Sequence, residues 1–226
     1  MKIRLQKFLS NAGVTSRRNA EEYIKNGEII VNDKIATIGD LVDEKKDIVK
    51  FNGKKIEPTN SIYILFNKPK GYITTRSNFH KEKSVYDLIP KEYRKSVWPV
   101  GRLDKDTSGL LLFTNDGELT QKITHPSYEH EKEYEATSRF TIKPELVREL
   151  KRGVTVGNES YKLKKVSHKG KILNIILTEG KKRHIRIMCK EVGIQVQTLR
   201  RIRIGKLHLP ENLKIGSYVL INKDKI

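Results

Sequence analysis

The apolar positions change period along the chain. Leu5, Phe8, Leu9 and Ala12 recur at i, i+3, i+4 and i+7, one face of a helix, and Gly13 follows as a residue able to leave it in a left-handed conformation. Ala20, Tyr23 and Ile24 stripe a second helix, with Ser16 as its N-cap and Gly27 at its end. Short strands then alternate with turn signals at Asn32-Asp33 and Asn52-Gly53. Residues 58–61 read as a linker.

From Ile62 the pattern mixes strands and helices. Residues 62–66 predict a strand, 67–72 a polar turn and 110–114 a second apolar strand. A helix over 117–124 is expected behind a cap at Asn115 or Asp116. Another starts at Pro144, buries Leu146, Val147 and Leu150, and stops at Gly153. Residues 161–166 and 172–178 predict a hairpin turning at Lys169-Gly170. Over 183–193, Ile185, Met188, Cys189 and Val192 form a buried helical stripe, while Arg183, Arg186 and Lys190 share another face. Strands without regular βαβ alternation predict an α+β protein. A small domain of a helix pair and short strands is expected over 1–58. A larger domain on a mixed, largely antiparallel sheet with flanking helices is expected over 62–226.

Charge narrows the partner. Lys and Arg number 46 against 27 Asp and Glu, a formal net charge of +19, of which +3 lies in residues 1–60 and +16 in the remainder. Such an excess is the footprint of a nucleic-acid partner. No basic amphipathic helix carries a broad Trp, Phe and Leu face, so no membrane surface is expected. No apolar run is long enough for a membrane span or a secretory signal, which places the protein in the cytoplasm. One Cys excludes an internal disulfide and a Cys-based zinc cage, and six scattered His show no paired metal spacing.

Two local features carry chemistry. Arg17 and Arg18 occupy the first turn of the second helix, where the macrodipole disfavours cations. They form either a phosphate cradle on RNA or a solvated charge pair. Asp104 stands in the Gly-bounded polar loop of GRLDKDTSGLLLF (101–113), an acid set in a basic domain. Asp106 lies close by. The two carboxylates could be paired as in a glycosidase or a magnesium site, but nothing near them supplies further hard oxygen ligands, and Asp106 is expected to bond its own loop through Thr107 or Ser108. His125 and His184 are expected to be RNA contacts or packed side chains.

RLQKFL, TSRRNAEEYI and GEIIVNDK resemble the RNA-binding domain named after ribosomal protein S4. NKPKGY (67–72), GRLDKDTSGLLLF (101–113), HEKEY (130–134) and EGKKRHIRIM (179–188), followed by LRRIRIG (199–205), resemble in order the pseudouridine synthases that modify ribosomal RNA. The resemblance implies isomerisation of a uridine to pseudouridine, with no cofactor and no metal. It implies that Asp104 is the catalytic carboxylate, as nucleophile or as base, that Arg186 pairs with it, and that Tyr134 lies against the uracil. By the same resemblance Arg102 helps hold the everted nucleotide's place in the RNA. Lys68 and Lys70 are expected to contact backbone phosphate, and Arg183, Lys190, Arg200 and Arg201 to supply a basic RNA-binding stripe. Ile187 departs from the pattern, in which a second basic residue is common. HPSYEHEKEY and FTIKPELVRELKRGV are more similar to the large-subunit enzymes than to the small-subunit ones. The expected partner is ribosomal RNA or a ribosome assembly intermediate, bound by a monomer. The competing reading is a non-catalytic ribosome-associated RNA-binding protein.

Overall fold

A computed structural model describes residues 2–57, 59–76 and 82–226; Pro58, where the linker is expected to begin, lies outside them. Strand β1 (Lys2–Arg4) leads into helix α1 (Leu5–Asn11), whose Leu5, Phe8 and Leu9 are buried. Helix α2 (Arg17–Lys25) starts where Ser16 Oγ accepts the Asn19 amide at 3.2 Å. Strands β2 (Ile29–Val31), β3 (Lys34–Ile35), β4 (Leu41–Asp43), β5 (Val49–Phe51) and β6 (Lys54–Lys55) follow. Asn32-Asp33 and Asn52-Gly53 form the two hairpin turns, all four residues at positive φ as such tight turns require. The four-stranded sheet β3-β2-β5-β6, with β4 paired to β1, closes a core of Leu5, Phe8, Leu9, Ala20, Ile24, Ile29, Val42 and Val49.

The remaining elements build one nine-stranded sheet, a separate two-stranded ribbon and the helices beside them. They are β7 (Tyr63–Lys68), β8 (Trp98–Pro99), β9 (Ser108–Thr114), α3 (Gly117–Thr124), β10 (Lys132–Ser138), α4 (Pro144–Arg152), β11 (Val154–Val156), β12 (Glu159–Tyr161), β13 (Lys165–Lys169), β14 (Ile172–Leu177), α5 (His184–Glu191), β15 (Val196–Ile204), β16 (Leu207–His208) and β17 (Tyr218–Leu220). The main strand order is β13-β14-β10-β15-β9-β7-β17. Pairing is antiparallel except between β15 and β9. Residues 63–66 of β7 and 110–113 of β9 show no polar alternation because both faces are covered. Leu65, Leu110 and Leu112 pack with Ile123 of α3, whereas Ile64, Phe66, Leu111 and Phe113 pack with Val85, Ile89 and Leu103. No helix of the described residues is long and apolar enough to cross a membrane.

The structure settles one expectation and corrects others. The α3 cap is Asp116, which accepts the Glu118 and Leu119 amides; Asn115 instead accepts the Ile62 amide and donates to the Asn60 carbonyl. The strand of 62–66 continues through Asn67 and Lys68, both buried, so the polar turn starts later. The hairpin at Lys169-Gly170 forms from β13 and β14, but residues 159–161 pair with β11 in a separate two-stranded ribbon. The apolar pattern does not predict β10 and β15, since their charged residues mask the alternation. The two folding units also touch: Lys7 pairs with Glu118 at 2.8 Å, and a Cβ on Gly13 would stand 2.9 Å from Ser96 Cβ.

Candidate active site

The loop before β9 carries Asp104, and its backbone is gripped from two sides. On one side the Lys68 ammonium donates to the carbonyls of Thr107 (2.7 Å), Asp104 (3.1 Å), Pro69 (3.1 Å) and, longest, Lys105 (3.5 Å). Gly71 N–H donates to the Lys105 carbonyl at 2.8 Å. Thr74 Oγ1 donates to the Leu103 carbonyl at 2.8 Å and accepts the Leu103 amide at 3.3 Å. On the other side Arg186 donates to the Asp106 carbonyl at 3.0 Å and, more weakly, to the Val196 carbonyl at 3.5 Å.

One row across the sheet supports this loop. Lys68 stands opposite Gly109, Gly109 opposite Arg201, and Arg201 opposite Tyr134. Gly109 sits at φ +101°, and a Cβ there would meet the Arg201 carbonyl oxygen at 2.2 Å, so only glycine lets β9 approach β15. Arg201 lies buried in the same row, its Nε donating to the Leu110 carbonyl at 2.9 Å. Tyr134 packs against both apolar clusters on this face of the sheet, one beneath α4 and α5 and one beneath the 85–103 region.

A cavity of about 700 Å³ opens beside Tyr134, lined by Asp104, Arg102, Thr74, Arg183, His184 and Leu199 among others. Asp104 and Arg102 of one loop therefore meet Tyr134 and Arg183 at one site although the four come from three separate segments. His184 is a packed wall residue, its ring edge-on to Tyr161 at 5.2 Å, and burial lowers its pKa. Lys181 and Lys182 stand at the rim, both exposed.

Other expected contacts lie elsewhere. Lys68 and Arg201 are 0% and 3% exposed, so neither presents its charge to an RNA phosphate; each is spent on main-chain carbonyls of the loop and of β9. Asp104 and Arg186 do not form the expected ion pair: Arg186 reaches the Asp106 carbonyl instead. Burial lowers the Arg186 pKa, with the Asp106 and, less strongly, Asp104 charges opposing. Asp106 faces Arg183 at 3.5 Å and not Thr107 or Ser108. Lys70 and Lys190 are exposed, and Arg200 is half-buried on β15. Arg17 and Arg18 are exposed on α2, and neither lines this cavity. Nothing in the sequence singles out Thr74, and Gly109 shows there only as the glycine that bounds the Asp104 loop. A small polar residue and a glycine signal loops in general, and their partners are far away along the chain.

Known proteins carry the same organisation. Residues 62–191 match the family described as RNA pseudouridylate synthase, and residues 3–49 match the S4 domain. The chain is 37% identical over 228 residues to the dual-specificity RNA pseudouridine synthase RluF of Shigella flexneri, spanning 99% of this chain and 77% of that protein. It is 38% identical over 213 residues to the ribosomal large subunit pseudouridine synthase B of Bacillus subtilis (strain 168), spanning 91% and 87%. Its fold superposes on a crystal structure of a pseudouridylate synthase with a TM-score of 0.70 and 27% identity, covering 99% and 97% of the two chains. With its S4 domain ahead of a GRLD loop, the chain belongs to the RNA pseudouridylate synthase family.

Proposed function

We propose that the protein converts one specific uridine of large-subunit ribosomal RNA to pseudouridine. The observation that carries this reading is the convergence of Asp104, Tyr134 and Arg102 on one cavity with a cationic rim at Lys181, Lys182 and Arg183. The target leaves its stack to enter, at a cost of a few kcal/mol that is lower in loops. The N1–C1′ bond breaks, the uracil turns, C5 bonds to C1′, the C5 proton leaves and N1 gains one. Electrons balance, so no redox partner or external energy source enters. The Asp104 carboxylate acts on the ribose, either by attack at C1′ or by taking a proton at C2′. Tyr134 lies against the uracil, Arg102 holds the vacated place in the RNA, and Arg186 adds its positive charge from beneath the loop. Residues 1–58, with Arg17 and Arg18, hold the RNA for the catalytic domain of 62–226. The working form is a cytoplasmic monomer acting on ribosomal RNA or an assembly intermediate.

Carbodiimide-blocked primer extension on both ribosomal RNAs from cells lacking the protein, complemented with wild type or Asp104→Asn, tests the reading. A large-subunit stop restored by wild type and not by the variant, with RNA binding retained, is expected. Pseudouridine formed by Asp104→Asn would overturn the mechanism; a missing stop in the small-subunit RNA would overturn the target.

A further inference from the structure

A second recess of about 430 Å³ adjoins the catalytic cavity, and Arg183 lines both. One wall carries Arg183, which caps α5, with half-buried Arg186 and exposed Lys190 of that helix; the other is the 193–196 turn. The volume falls within the range of small-ligand sites, about 300–1,000 Å³. The wall holds more positive charge than the protein itself satisfies. Asp106 is shared with Arg183 at 3.5 Å, Lys190 is exposed, and Arg186 Nε is buried without a hydrogen-bond partner. Such a wall favours an anion.

An exposed aromatic residue follows in the connection tied to that turn. The Arg139 amide donates to the Gln195 carbonyl of that turn at 2.9 Å, which fixes the 139–143 connection beside the recess. Phe140 is 58% exposed, more than any other aromatic side chain among the described residues. The Arg139 guanidinium lies 5.4 Å from its ring centroid. An exposed ring with a cation over it, on a connection hydrogen-bonded to the turn of a positively charged recess, is the chemistry that holds an unpaired base.

We propose that this recess is a subsite for an unpaired nucleotide of the RNA flanking the target uridine, with phosphate between Arg183 and Lys190 and the base stacked on Phe140. The flanking assignment rests on the function proposed above; the nucleotide binding does not. Paired bases cannot reach the ring, so the subsite selects single-stranded RNA over a stem.

Fluorescence anisotropy of the full chain with a labelled oligouridylate of about a dozen nucleotides reads the proposal. Phe140→Ala is expected to weaken binding roughly 5- to 50-fold, with Phe140→Tyr close to wild type and affinity for an RNA duplex unchanged. In Phe140→Trp, the oligonucleotide should quench emission beyond any change at the one native tryptophan, Trp98. Unchanged oligouridylate affinity in Phe140→Ala, or an unquenched Trp, overturns the subsite. So does a Phe140→Ala phenotype confined to sedimentation mass, which marks a protein contact. None of these readouts involves turnover. Loss of the subsite therefore leaves the isomerisation reading standing, and pseudouridine formed by Asp104→Asn would sink that reading without touching this one.

Discussion

The Lys68 ammonium donates to the Asp104 main-chain carbonyl at 3.1 Å, so a buried lysine holds the backbone of an acidic residue that lines the cavity. A buried cation is costly, and here it is stabilised chiefly by peptide carbonyls. Lys68→Met keeps the volume and removes those bonds. The expected result is a fall in kcat of roughly 100-fold, the scale of a 1 Å misplacement, with RNA affinity near wild type; steady-state kinetics and anisotropy together check it.

Burial pushes Lys68 down to about 8 from 10.5, with the Asp104 and Asp106 charges opposing and Arg201 adding to the fall. Between these values the unfolded chain binds more protons at this residue than the native state does. The contribution of Lys68 to stability therefore rises with pH across that window. A neutral amine has two N–H groups for four carbonyls, so the loop grip weakens over the same window. Single-turnover rates are expected to fall above about pH 8 while the urea midpoint shows no matching fall attributable to Lys68.

Thr74 ties the 71–76 segment to Leu103, the residue before Asp104, through both of its hydrogen-bonding capacities. Thr74→Val keeps the shape and strands a buried carbonyl and amide, a cost of about 1–3 kcal/mol. The expected signature is a reduced kcat with KM little changed, and recovery in Thr74→Ser. Equal behaviour of the Ser and Val variants would show that the hydroxyl does not position the loop.

At Gly109 an alanine would combine positive φ with a Cβ 2.2 Å from the Arg201 carbonyl oxygen, and β9 would have to move away from β15. The expected loss is about 2–4 kcal/mol, or a fall in Tm of roughly 5–15 °C, measurable by calorimetry.

Arg17 and Arg18 are exposed at the start of α2 with no acidic residue in the first turn. Replacing both by Ala should weaken RNA binding and flatten the slope of log K against log salt by roughly 1.4, about 0.7 for each single-strand phosphate that is no longer neutralised. An unchanged slope would remove them from the RNA interface.

The α+β class, both helices of the first domain, the Ser16 cap, the hairpin turns, and the Asp104 loop ahead of the apolar run 110–113 were legible in the chain. Helical stripes, positive-φ turn residues and an acid in a Gly-bounded loop of a basic domain are local signals. Tertiary structure alone decided the fate of the cations. Lys68, Arg200 and Arg201 read alike as positive charges near RNA, but burial in the sheet turns the first and last into donors to main-chain carbonyls. It leaves Arg186 bonded to the Asp106 carbonyl in place of the Asp104 carboxylate. Sequence records which residue is charged; which oxygen lies within 3 Å of it depends on strands brought side by side from distant parts of the chain, as β7, β9, β15 and β10 are in the row Lys68, Gly109, Arg201, Tyr134.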